Sequence, residues 1–268
     1  MTSPALSLQA TTPLLYWTAR AWFISALTSQ WLFAIYVGWT LVRPLLDGNA
    51  VSVDNTRLIT GHVAGDTAGN AMLLGHVLAA AIINGIGLLQ LVPALRRRFP
   101  AWHRWAGRTF MVLSLLAAVS GFYMVWIRGS RLSDVSAAAI SLNGLLILIA
   151  VAMAWRLAMQ RRFAEHRHWA IRAFLLISGV WMLRLGLMTW VIINHGPNGN
   201  TPHLDGGFDS FWVFGCYLAP LAIAELYFRA EKSGLALQFT AAATLAASTA
   251  LTLLGTFGAF TFMWLPHF

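Results

Sequence analysis

Charge is scarce in this chain. Asp, Glu, Lys and Arg make up 10% of its 268 residues, whereas a soluble domain carries about 25%. A surface so poor in charge excludes water as the only solvent and points to lipid. Cysteine is scarcer: Cys216 stands alone inside an apolar run. No intrachain disulfide can form, and no C-x-x-C-H offers covalent heme attachment. No P-loop, G-x-S-x-G, H-E-x-x-H or dinucleotide fingerprint occurs, which removes the commonest nucleotide, esterase and zinc-protease chemistries. Acids are few, 9 against 18 Lys and Arg, for a net charge of +9. In a soluble chain that balance would suggest nucleic acid. Here the basic residues flank apolar segments, as membrane topology requires, so no nucleic-acid partner is expected. The first nineteen residues lack a basic stretch leading into an apolar core and a cleavage site, so the first apolar run is expected to stay as a helix.

What is abundant is apolar. Hydrophobic residues make up 58% of the chain, with 13 Trp and 16 Phe, and the mean hydropathy is +0.66. The pattern predicts an all-α integral membrane protein forming a single transmembrane domain over 1–268. Seven spans are expected at 20–43, 70–95, 105–128, 135–158, 169–194, 209–229 and 235–264. Sorting the basic residues by side puts thirteen on one face (Arg20, Arg96, Arg97, Arg98, Arg104, Arg108, Arg156, Arg161, Arg162, Arg167, Arg172, Arg229 and Lys232) against four on the other (Arg43, Arg57, Arg128, Arg131). The positive-inside rule then predicts a cytoplasmic N-terminus in a bacterial inner membrane. Asp47, Asp54, Asp66, Asp134, Asp205 and Asp209 fall on the outer side. The outer loops 44–69, with His62 and Asp66, and 195–208, HGPNGNTPHLDGGF, are rich in turn residues; each reads as a solvated connection or as a lid over an outer cavity. In the last span TAAATLAASTA signals close helix packing.

Sliding the chain by 64 residues aligns RRFPAWHRWAGR (97–108) with RRFAEHRHWAIR (161–172), six of twelve positions matching. Each copy lies in the basic turn of a helical hairpin, spans two–three and four–five. A duplicated hairpin at the heart of a four-helix core (70–194) is expected, flanked by 20–43 and 209–264. In this register His103 faces Arg167 and His166 faces Trp102, and His76 falls opposite Ile140, so the repeat does not encode a symmetric bis-histidine ladder.

Polar groups at bilayer depth are the first functional suspects. His76 in span two, Asn143 in span four and Arg184 in span five form one candidate ligand site in the outer half. Arg184 lies ten residues from the outer end of its helix, roughly 15 Å, with no carboxylate at its depth unless a loop offers Asp66 or Asp205. Such a cation needs an anionic or accepting ligand, or backbone carbonyls and water. His76 equally reads as an interhelical hydrogen-bonder. Gln90 returns to the face of His76 after fourteen residues, on a stripe with Ala80, Ile83 and Gly87 that lines a cavity or seats a helix. A second candidate site, for heme, metal or a headgroup, is the basic-side cluster His103, Arg104, Arg108, His166 and Arg172, with His168 nearby. Gln90 and Trp169 would support the sites. Interfacial anchoring explains the cluster as well, and its arginines would attract anionic lipid headgroups.

These residues also carry a resemblance. His76 early and Gln90 late in one helix, the Arg96-Arg97-Arg98 turn, His103-Arg104 with Gly107-Arg108, His166 with Trp169 and Arg172, and the later Arg184 are similar to the pattern of a family of bacterial membrane proteins, domain of unknown function 2306. Ala170 stands where that pattern usually has Met. The resemblance covers roughly 70–190; it implies an architecture and these positions, but no reaction. The four-helix core is also similar at fold level to membrane b-type cytochromes. Three functions fit: a redox component binding heme b or a quinone through His76, His103 and His166; a transporter or binding protein for an anionic or lipidic small molecule; and a structural or assembly subunit. The first is the leading expectation, although the histidine missing opposite His76 opposes it.

Overall fold

The computed structural model describes residues 11–46 and 61–268. Asp47, Asp54 and Arg57 lie outside them. The helices are α1 (Pro13–Val42), α2 (Thr67–Leu91), the short α3 (Pro93–Arg98), α4 (Pro100–Trp126), α5 (Asp134–Met159), α6 (Phe163–Ile177), α7 (Gly179–Ile193), α8 (Gly207–Ala230) and α9 (Leu235–His267). Six of them are long and apolar enough to cross a bilayer unbroken, and α6 with α7, bent by 56° at their junction, counts as a seventh when the pair is taken as one broken span rather than a re-entrant loop. Among the described residues there is no strand. The protein is an all-α, multi-pass membrane protein embedded in lipid.

Several helices begin earlier than the apolar runs predict: α1 at Pro13 rather than 20, α4 at Pro100 rather than 105, α6 at Phe163 rather than 169. Proline at the first helical position is pre-set for the turn, and Trp, His and Arg of the interface extend a helix past its apolar stretch. Span five is also not one straight helix over 169–194. It breaks at Ser178, between α6 and α7.

Consecutive spans pack side by side, α2 on α4, α4 on α5 and α5 on α6, while α8 lies on α6 and α7. The bundle closes where α9 packs on both α7 and α1. Phe33, Tyr36, Trp181, Tyr217 and Trp264 fill the centre. The small residues Ala241 and Ala242 of α9 lie buried against Leu15 and Ala230. This is the close approach that drives helix association where no hydrophobic effect operates.

Two ends of the bundle differ in how they are tied. At the end opposite the arginine-rich one, Asp66 caps α2 by accepting from the Gly69 amide at 2.8 Å, and it also accepts from Arg128 Nε at 2.8 Å. Arg128 donates further to the Gly61 carbonyl and to Asn70 Oδ1. Gly69 makes this possible, since a Cβ there would stand 2.0 Å from Asp66 Oδ2 and 2.6 Å from Arg128 Nε. Loop 195–206 is held by Asp209, fully buried, which accepts from Asn200 Nδ2 at 2.8 Å and the Thr201 amide at 2.7 Å. Asp66 and Asp205 thus have partners of their own, Arg128 and Thr201, and neither pairs with Arg184.

Candidate functional site

The arginine-rich end opens into a cavity of ≈ 2330 Å³. Its construction starts at the end of α2. The helix tightens into a 3₁₀ turn over Leu88–Leu91, and Val92 is extended because Pro93 follows. This turn sets Gln90 against Gly107 of α4, where a Cβ would stand 3.2 Å from Gln90 Oε1. The first turns of α4 and α6, the last turn of α5 and the start of α1 complete the mouth. Trp22, Phe23, Phe110, Phe174 and Phe228 form apolar walls below it.

The mouth is positive throughout. Seven arginines line the cavity (Arg20, Arg96, Arg97, Arg104, Arg108, Arg161 and Arg167), and no Asp or Glu does. Arg167 is held by Glu231, both nitrogens at 3.2 Å. The other six have no carboxylate partner among the described residues. Two histidines, His103 and His166, share this lining. His166 Nδ1 lies 2.8 Å from the Ala154 carbonyl. A carbonyl only accepts, so Nδ1 donates, and Nε2 of the neutral ring is left as an acceptor or ligand. Gln90 Nε2 is buried with no acceptor.

Of the residues singled out in the sequence, His103, Arg104, Arg108, His166 and Gln90 are therefore brought to one cavity. Arg172 and Trp169 are placed beside it, not in its wall: Arg172 donates to Glu225 at 2.6 Å and lies over Trp169 at 4.8 Å. At the position equivalent by the 64-residue shift, Arg108 lies over Trp105 at 5.1 Å. The two turns thus repeat one cation–π contact, while Arg108 faces the cavity and Arg172 faces a carboxylate. His168 stacks on Phe228 at 4.1 Å.

The residues at depth are not gathered at this cavity. His76 Nδ1 lies 2.9 Å from Ser120 Oγ, whose hydroxyl donates to the Ala117 carbonyl; the imidazole thereby joins α2 to α4. Asn143 Nδ2 donates to the Leu176 carbonyl at 3.2 Å, one residue before the end of α6. Arg184 donates to the Val180 carbonyl at 2.9 Å and lies over the Phe33 ring at 5.3 Å. No carboxylate among the described residues pairs with it. Among the described residues, a backbone carbonyl and an aromatic face are what this cation is given.

The break in span five is lined by polar groups that the sequence reading overlooked. Gln30 of α1, 2% exposed, donates from Nε2 to Ser178 Oγ at 2.7 Å, and its Oε1 has no partner. Trp181 Nε1 donates to Ser29 Oγ at 2.9 Å, as does Thr256 Oγ1 at 2.7 Å. An amide seventeen residues into α1, roughly 26 Å along the axis, is the signal that could have found it. Ser178→Ala strands a buried donor, which costs about 1–2 kcal/mol. Thermal unfolding in detergent should show this loss, and Ser178→Thr, which keeps the hydroxyl, should recover most of it.

Among the described residues no group of three or more His, Cys, Asp or Glu is arranged to hold a metal ion. No curated protein and no solved structure matches the chain. A family model for a predicted membrane protein, DUF2306, matches residues 73–228. The match reaches past the expected 190 through most of α8. It holds His76, Gln90, the α3–α4 arginines, His166 and Arg184, and leaves Arg20 and α9 outside. With more than half of the chain covered, the protein belongs to the DUF2306 family of predicted membrane proteins.

Proposed function

We propose that the protein is a binding protein or carrier for an anionic amphiphile, taken up at the arginine-lined mouth. The observation that carries this reading is Gln90. Its side chain lines the cavity beside six arginines that lack carboxylates, and its Nε2, covered by the wall of the ligand-free protein, has no acceptor to hold it there, so turning the amide toward the cavity costs no hydrogen bond. A phosphate or carboxylate brings the missing acceptor oxygens, and charge-assisted bonds of this kind are the strong ones. Positive charge at this end alone follows from topology; a stranded donor does not. The positive-inside rule supports a cytoplasmic orientation for this end, in a bacterial inner membrane.

Binding of octyl phosphate to the purified protein, followed by thermal stabilisation, tests the reading. Gln90→Leu should weaken binding about tenfold, the worth of one hydrogen bond to a charged group. It should not lower the melting temperature of the ligand-free protein, because Nε2 makes no bond to lose. Equal binding by wild type and variant would remove the argument.

A second reading keeps the heme b or quinone expected from the sequence. One observation favours it: His166, tied at Nδ1 to Ala154, leaves Nε2 beside His103 in the same lining. His76, engaged with Ser120, does not join them. A Soret band or extracted quinone from protein made in heme-supplemented cells would support this reading, and colourless, quinone-free protein would end it.

A further inference from the structure

We propose that the occupant of the cavity is a long-chain anionic lipid lying lengthwise, its head at Gln90 and the arginines and its tail in the seam between α7, α8 and α9. This rests on the anionic-amphiphile reading above and gives its ligand a class and a pose. The cavity does not end at the mouth. It continues past the break at Ser178 to Gly186, Thr189 and Trp190 of α7, Phe211 of α8 and Ser248 of α9. Along α8 the lining runs from Phe228 to Phe211, seventeen residues or roughly 26 Å. That is most of the ~30 Å hydrocarbon thickness of both leaflets together, so only a long, extended chain reaches the far end.

Charge is divided along this length as it is in a lipid. Every ionisable residue in the lining belongs to the arginine-rich end; beyond Phe174 the lining holds no Asp, Glu, Lys, Arg or His. The far end is lined by aromatic rings, Trp190 stacked on Phe208 at 4.2 Å and Phe208 on Trp212 at 6.1 Å, and lies open on its outer side, where Phe211 is 65% exposed. Trp212 is fixed as a wall by donating to the Leu183 carbonyl at 3.1 Å. Its indole crosses Gly186, where a Cβ would stand 1.9 Å from the ring. A small soluble anion has no use for this length of apolar seam, and a neutral lipid has no use for six arginines without carboxylates.

Photolabelling tests the pose. The probe is eicosyl phosphate with a diazirine at its terminal carbon, incubated with the full-length protein in nanodiscs and mapped by peptide mass spectrometry. Label on the 190–212 region, displaced by excess octyl phosphate or by octanoate, is the expected result, and whichever competes identifies the head. Label that is competed but confined to the arginine-rich end, or spread over lipid-facing helices, overturns the lengthwise pose and leaves the mouth as a binding site. Label that neither competitor displaces overturns both. Ser248→Phe and Ala219→Phe, made separately, should each cut the far-end label at least fivefold while octyl phosphate binding stays within twofold. Unchanged far-end label in a folded variant of either kind contradicts the seam.

Discussion

Replacing Arg97, Arg104 and Arg108 together by glutamine is expected to weaken octyl phosphate binding about a hundredfold or more, since each lost charge-assisted bond is worth about tenfold. Arg104 and Arg108 are four residues apart on α4, one turn above the other on a shared face. Arg97, on α3, shares the lining with them. With no acid in the lining, the ligand-free cavity concentrates like charge, and glutamine relieves that repulsion. Stability and binding should therefore move in opposite directions: the ligand-free melting temperature holds or rises while affinity collapses. Anchoring alone predicts the reverse, a destabilised protein whose ligand binding was never there to lose. Raising salt should weaken wild-type binding far more than that of the variant, because exposed charges are screened within about 8–10 Å at physiological ionic strength.

Arg128→Met is expected to be the most damaging single change to the fold. The Arg128 side chain is 4% exposed and joins the start of α2 to the end of α4 through Asp66, Asn70 and the Gly61 carbonyl. Removing one partner of a buried pair costs about 3–5 kcal/mol, and the lower end applies because Asp66 is about one-third exposed. Chemical unfolding in mixed micelles should report the loss. Adding Asp66→Asn should restore part of it by removing the uncompensated carboxylate, and a double variant no better than the single would count against the pairing. The arginine-rich mouth lies at the opposite end, so octyl phosphate binding by the folded fraction should be unaffected.

The six unbroken spans and the division of charge between two ends were legible because both are composition effects, written in local runs of apolar and basic residues. The stripe from His76 to Gln90 was legible as a helix face, but not its double use. Ile83 packs with Phe110 and Phe174 in the core, His76 bonds to Ser120, and Gly87 and Gln90 reach the cavity. The break at Ser178 was not legible. Gly179 is the only local sign, and single glycines occur within intact helices. What surrounds the bend is tertiary, Asn143 on the Leu176 carbonyl and Gln30 on Ser178. The Asp66–Arg128 tie spans 62 residues and needs the pairing of α2 with α4 before it can be read. In the sequence Arg20 is a topology signal alone and Arg97 belongs also to the repeat and the family pattern, but only the cavity gives them a shared surface with His103 and His166. At depth His76 is engaged by Ser120, and Arg184 by the Val180 carbonyl and the Phe33 ring, whereas near the mouth Gln90 has a donor without an acceptor.

The most direct test of the central claim is intact mass spectrometry of the protein released from mild detergent. The account predicts one tightly held anionic long-chain adduct per chain in the wild type, lost in the Arg97, Arg104 and Arg108 glutamine variant. An adduct spectrum that mirrors the bulk membrane lipids, the same in wild type and variant, would contradict it.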